Sequence, residues 1–236
     1  MEILKSIHRL SFSIAPDGKL SPIAGSTQPL SNGGIGAAPA TAEVAFTPDG
    51  VTLVVTEKTT NLIDTFQIVN GVAIGTVTHP SSGMTPFGFA FNRRGFLIVS
   101  EANGGQAGLS SLSSYSVNGD DVEVISPSVG TTQTAACWVV VSKNGKVAYT
   151  TNAGSGTISS YRVGSDGSLT LLDPTAGVTG AGSSPIDMAF SNNGKYLYAL
   201  SAGANTISIF RAQANGSLAS IDTASVPVGA VSLATR

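Results

Sequence analysis

The chain has 236 residues, a formal net charge of −2, and 11% charged residues against 42% hydrophobic ones. That balance excludes an intrinsically disordered chain, and the lack of any Lys or Arg run excludes a nucleic-acid or anionic-membrane footprint. The single cysteine, Cys137, excludes an intrachain disulfide and a cysteine-based metal site, and no apolar run reaches the roughly 18 residues of a membrane helix.

In chain order, MEILKSIHRL carries Lys5, His8 and Arg9 inside any apolar stretch. No secretory signal is read there, and a cytoplasmic location is expected by default. The segment FSIAPDGKLSPI (12–23) reads as two short strands around an Asp-Gly turn, with the first strand over residues 7 to 14. VAFTPDGVTLVVTEK (44–58) is again strand, glycine turn, strand, and FQIVNGVAIGTV (66–77) is a second hairpin around Asn-Gly. The same pair of phrases returns as FAFNRRGFLIVSEA (89–102) with YSVNGDDVEVIS (115–126), and as VVVSKNGKVAYTTNA (139–153) with YRVGSDGSLTLL (161–172). It returns once more as MAFSNNGKYLYALSA (188–202) with FRAQANGSLASI (210–221). The closing PVGAVSLATR (227–236) aligns with the start of a further first strand.

The turn glycines Gly50, Gly95, Gly145 and Gly194 are spaced 45, 50 and 49 residues apart. Two hairpins per unit means four strands in each period, which matches a propeller blade. Runs such as TLVVT and YLYAL are nearly continuously apolar, as central strands packed on both faces should be. The predicted fold is therefore all-β: one β-propeller domain over residues 1–236, built of four-stranded antiparallel blades. Four blades are complete, and the two termini supply a fifth that is composite or incomplete. In the composite form, the terminal first strand joins the N-terminal hairpin, with MEILKS in the place of the missing second strand. In the incomplete form, open blade edges are expected to favour homo-oligomers.

The phrases LSPIAGSTQPLS, FTPDGVTLVVTEKTTNLIDTF, TPFGFAFNRRGFLIVSEA, AACWVVVSKNGKVAYTTNAGSGTISSYRV and DGSLTLL resemble the lactonase-type β-propeller family. This family groups 6-phosphogluconolactonase-like and 3-carboxymuconate-cyclase-like proteins. The resemblance runs from about residue 10 to the end of the chain. It implies a seven-bladed parent, relative to which about two and a half N-terminal blades are lacking. It also implies a lactonase-like or cycloisomerase-like activity on a small sugar-acid lactone or related carboxylate. The alternatives are a non-catalytic propeller that binds a small ligand or protein through its loop face, and an inactive truncated member. No cofactor and no metal are expected.

Functional groups of a propeller collect where the loops between second and third strands meet the blade-to-blade connections. On that face the sequence offers Glu57, Lys58, His79, Glu101, Trp138 and Asn152. Glu57 and Glu101 end equivalent strands of neighbouring blades and are expected to approach one another. Lactone hydrolysis needs a base for water and a group that steadies the acyl oxyanion. Glu57 or Glu101 is expected as the base, with Lys58 at the oxyanion. His79, Trp138 and Asn152 are expected to bind substrate, His79 with a further acid–base role. The structural readings are a surface pair for Glu57 and Lys58, backbone-amide bonds for Glu101, an exposed loop for His79 and core packing for Cys137. On the catalytic reading, Glu57→Gln or Glu101→Gln removes hydrolysis and hardly moves the melting temperature. Arg93 and Arg94 fall in a first-to-second strand turn, on the opposite face.

Overall fold

The computed structural model describes residues 8–9, 11–31, 33 and 38–235. MEILKS lies outside the described residues. A short N-terminal part comprises β1 (His8–Arg9), β2 (Phe12–Ile14), β3 (Leu20–Pro22) and β4 (Gln28–Pro29). Here β2 pairs with β3, and β1 pairs with β4.

Four antiparallel four-stranded sheets follow, each in sequential order. Blade 1 is β5 (Thr41–Phe46), β6 (Thr52–Glu57), β7 (Leu62–Val69) and β8 (Val72–Pro80). Blade 2 is β9 (Pro86–Phe91), β10 (Leu97–Glu101), β11 (Ser111–Asn118) and β12 (Asp121–Gly130). Blade 3 is β13 (Ala136–Val141), β14 (Val147–Asn152), β15 (Thr157–Val163) and β16 (Leu169–Val178). Blade 4 is β17 (Pro185–Phe190), β18 (Tyr196–Ser201), β19 (Thr206–Ala212) and β20 (Leu218–Ser225).

One local device sets each blade's first turn. The side chain opening the turn accepts a hydrogen bond from the amide that begins the second strand. Thr52 donates to Thr47 Oγ1 at 3.1 Å, and Phe96 to Asn92 Oδ1 at 3.0 Å. Val147 donates to Ser142 Oγ and Tyr196 to Ser191 Oγ, both at 3.0 Å. The turn glycines then take positive φ, as at Gly50 (75°), which a side chain would strain.

Strand period two explains how the blades stack. Along β6, Val54 packs toward blade 2 with Ile63, Phe89, Leu97, Val99 and Tyr115. Its neighbours Leu53 and Val55 pack the other way, with Phe66, Ala73 and Leu30 of the N-terminal part. Ile98 and Ala148 fill the next interface with Leu112, Val139 and Tyr161. Val147 and Tyr149 fill the last with Met188, Leu197 and Phe210. Each such side chain contributes roughly 1.5–3 kcal/mol by leaving water.

The composite fifth blade is not formed among the described residues. No strand occurs beyond β20, and no hydrogen bond joins residues 226–235 to the N-terminal strands. The tail instead runs along β17, where Leu233 donates to Asp187 Oδ2 and Thr235 to the Phe190 carbonyl. Among the described residues the fifth unit is the incomplete one. On the other side, Val44 and Phe46 of β5 stay 43% and 56% exposed. Their counterpart Phe89 in β9 is buried against a preceding blade. Blade 1 has no such inner neighbour among the described residues.

Candidate functional site

The ends of the second strands carry four polar side chains. Glu57, Glu101, Asn152 and Ser201 occupy equivalent positions there, and all four are fully buried. For Glu57, Glu101 and Asn152 this corrects the expected placement on the open face. Burial of a carboxylate demands donors, and each glutamate has its own set.

Glu101 is enclosed by hydroxyls. Ser111 and Ser113 donate to it, as does Ser128 at 3.2 Å, and the Gly83 amide donates at 2.8 Å. A Cβ on Gly83 would fall 2.3 Å from Glu101 Oε2, so only glycine lets the connection come this close. Glu57 accepts from the Ser31 amide at 3.1 Å and from the hydroxyls of Ser31 and Thr60. Its carboxyl is also hydrogen-bonded to that of Asp64, one strand over and equally buried. Burial pushes the Glu57 pKa up, but the bonds from Asp64, Ser31 and Thr60 outweigh it and hold the group below its ordinary 4.5.

Asn152 follows the same plan with a neutral side chain. It donates to Thr157 Oγ1 at 3.1 Å and to Ser159 Oγ at 2.9 Å. In blades 1 to 3 the position is a hydrogen-bonded clasp, whereas the buried Ser201 hydroxyl of blade 4 makes no such bond among the described residues. No hydrogen bond and no shared donor connects Glu57 with Glu101, so the two are not brought into one bonded pair.

His79 also departs from its expected place. It lies in β8, the outermost strand, paired with Ile63, and not in a loop at the channel. Its Nε2 is 3.3 Å from Thr65 Oγ1.

The inner strands carry the groups that converge. TAEVAF, PFGFAF, ACWVVV and PIDMAF align so that Glu43, Gly88, Trp138 and Asp187 share the third place. Glu43 Oε2 accepts from the Phe89 amide of the next blade at 2.5 Å. Burial raises its pKa to about 7, and the charge of Asp187 adds to the rise. Asp187 itself is raised by burial, against the Leu233 and Met188 amides and the Ser232 side chain that bond it.

Lys58 leaves the Glu57 clasp and reaches inward, its Nζ 4.7 Å from the centroid of the Phe87 ring. It forms no ion pair among the described residues, so the expected surface pair with Glu57 is not made. Cys137 is buried at this end of β13. Burial pushes its thiol to about 12, with Lys58 lowering and Asp187 raising it. The neutral thiol is a packing group, as the sequence suggests. Gly88 leaves the space that brings these strands together, since a Cβ there would lie 2.7 Å from the Cys137 carbonyl.

Glu43, Lys58, Trp138 and Asp187 thus share the inner wall, with Lys58 against Phe87 and Glu43 against Phe89 of β9. Sequence reasoning found Lys58 and Trp138 and missed Glu43, Asp187 and Asp64. The missed signal was a carboxylate at the third place of an otherwise apolar inner strand. No group of three or more His, Cys, Asp or Glu side chains that could hold a metal occurs among the described residues. Among them, too, no helix is long and apolar enough to cross a membrane.

This architecture has many solved counterparts. A candidate 6-phosphogluconolactonase from Bacteroides fragilis superposes with a TM-score of 0.72 at 23% identity, covering 95% of this chain and 66% of its own. A protein from Lactobacillus plantarum gives 0.77 at 17% identity, with 95% and 67% covered. The periplasmic gluconolactonase of Pseudomonas aeruginosa gives 0.67 at 15% identity, with 93% and 64% covered. At these identities the likeness is one of fold, and the chain spans about two thirds of the length of these proteins. No curated protein matches the sequence. The family model described as "Lactonase, 7-bladed beta-propeller" matches residues 106–226, just over half of the chain. With blade 1 and the inner half of blade 2 repeating the same architecture ahead of that match, the chain belongs to the lactonase family of seven-bladed β-propellers.

Proposed function

We propose that the chain opens the ring of a small sugar-acid lactone by hydrolysis, with Glu43 as the general base. The supporting observation is Glu43 on the inner wall with its pKa raised to about 7. A base poised near neutrality has both the free carboxylate to take a proton and the driving force to do so. Family membership and the fold shared with the gluconolactonase of Pseudomonas aeruginosa point to the lactone class.

Glu43 takes the proton of a water as its oxygen attacks the lactone carbonyl carbon. In this reading the Lys58 ammonium steadies the negative oxygen that develops. The proton held on Glu43 then passes to the ring oxygen as the carbon–oxygen bond breaks. Trp138 offers an apolar surface for the sugar ring. Glu57 and Glu101, expected as bases from sequence, serve in this reading as clasps that hold the strand ends carrying the site. Asn152 does the same, and His79 has no part.

The test is hydrolysis of glucono-δ-lactone followed by acid release at constant pH, with background hydrolysis subtracted. Glu43→Gln is expected to lower kcat by about a hundredfold or more. Lys58→Met is expected to lower it by a comparable factor. A wild-type rate equal to background, across a panel of sugar lactones, would sink the proposal. So would full activity in Glu43→Gln.

A further inference from the structure

The face opposite the proposed site carries a second feature. A cleft of about 540 Å³ crosses the turn end of blade 3, between the turns of blades 2 and 4. That volume lies within the range of small-ligand sites, about 300–1,000 Å³. Four cationic side chains line it: Arg93 and Arg94 from blade 2, and Lys146 and Arg162 from blade 3. None of the four makes an ion pair with a carboxylate among the described residues, and no carboxylate lines the cleft. Asp166, on the adjoining turn, is turned to the amide and hydroxyl of Ser168 at 3.1 and 2.7 Å.

The asparagines of the lining add donors. Asn92 Oδ1 accepts from the Arg94 and Phe96 amides, and Asn144 Oδ1 from the Lys146 amide. Asn215 Oδ1 accepts from the Ser217 amide. A backbone N–H can bond only the oxygen of a side-chain amide, so these contacts fix which way each amide is turned. Their oxygens are used by the turns, which leaves the NH2 groups as donors. Val147 and Val163 supply an apolar floor. A lining rich in cations and amide donors, with no carboxylate, favours a multiply charged anion. The forked guanidinium groups match phosphate oxygens in pairs.

We infer that this cleft is a binding site for a small phosphorylated anion, separate from the lactone site and independent of that reading. Placing it across three blades concentrates their charge in one concave space, where field lines focus.

The test is calorimetric titration of the whole chain with inorganic pyrophosphate as probe, at two ionic strengths. Saturable one-to-one binding that weakens with salt is expected. Arg93→Ala with Arg162→Ala should weaken it by about tenfold or more, with an unchanged melting temperature in the absence of probe, since both side chains are exposed. Lys19→Ala, on the N-terminal hairpin, should bind as the wild type does. Three results would overturn the inference: no saturable heat, an equal loss from Lys19→Ala, or tighter binding of citrate than of pyrophosphate.

Discussion

Asp187 accepts a hydrogen bond from the backbone amide of Leu233, with Oδ2 and N 2.7 Å apart. The bond repeats one made three blades earlier, where Glu43 accepts from the Phe89 amide. In both, the carboxylate stands third in an inner strand and reaches the neighbouring chain segment on the same side. Residues 232–235 therefore hold the place of an inner strand for a blade beyond the fourth. A carboxylate at this position is a connector between adjacent blades as well as a wall of the channel.

Asp187→Ala is expected to release the tail. It removes the acceptor of the Leu233 and Met188 amides and of the Ser232 side chain. Hydrogen bonds to a charged group contribute about 1.5–3 kcal/mol each, part of which water restores at this surface. A loss of about 2 kcal/mol should appear as a lower urea midpoint with an unchanged slope. A midpoint equal to that of the wild type would show that the tail is held by other contacts.

Glu43 should make stability depend on pH. It titrates near 4.5 when unfolded and at about 7 in the fold, because burial disfavours its charge. The folded state then holds the proton more tightly. Its stabilising contribution is full below about 4.5 and is lost as pH rises through about 7. The raised Asp187 acts in the same direction. Glu57, held below its ordinary value, works oppositely, and only as pH falls below 4.5. From about pH 5 to about pH 8 the wild type should lose on the order of 2 kcal/mol, and Glu43→Gln should flatten most of that slope. Urea melts of both proteins across this range are the check. Parallel slopes would remove Glu43 as the titrating group.

Glu101 substitutions should act on folding. Glu101→Ala leaves the Gly83 amide and the serine hydroxyls facing an empty buried space, at a cost of about 3 kcal/mol or more, since each orphaned buried donor costs about 1–3 kcal/mol. Glu101→Gln should cost less, about 1–2 kcal/mol, because hydroxyls can rotate to accept from its NH2. Both should lower the melting temperature, against the expectation from sequence that Gln leaves it nearly unchanged. Thermal melts of the two variants decide the order. Equal and negligible shifts would mean that the serine cage does not hold the blade.

The repeat and the strand pattern were legible in the residues alone. Gly50, Gly95, Gly145 and Gly194 mark turns whose conformation few other residues accept, and unbroken apolar runs such as Leu53, Val54 and Val55 dictate two packed faces. These are local requirements, written within a few residues of one another. The family resemblance rested on those same phrases. What Glu57 and Glu101 face could not be read locally. Whether a carboxylate at a strand end meets water or a ring of hydroxyls depends on Ser31, Gly83 and Ser128, which the chain delivers from other turns. Only the tertiary structure joined Glu43, Asp187 and Lys58 on one wall, because each lies on a different strand. The basic cleft arose in the same way. Arg93, Arg94, Lys146 and Arg162 are scattered in sequence, and the stacking of blades concentrates their charge.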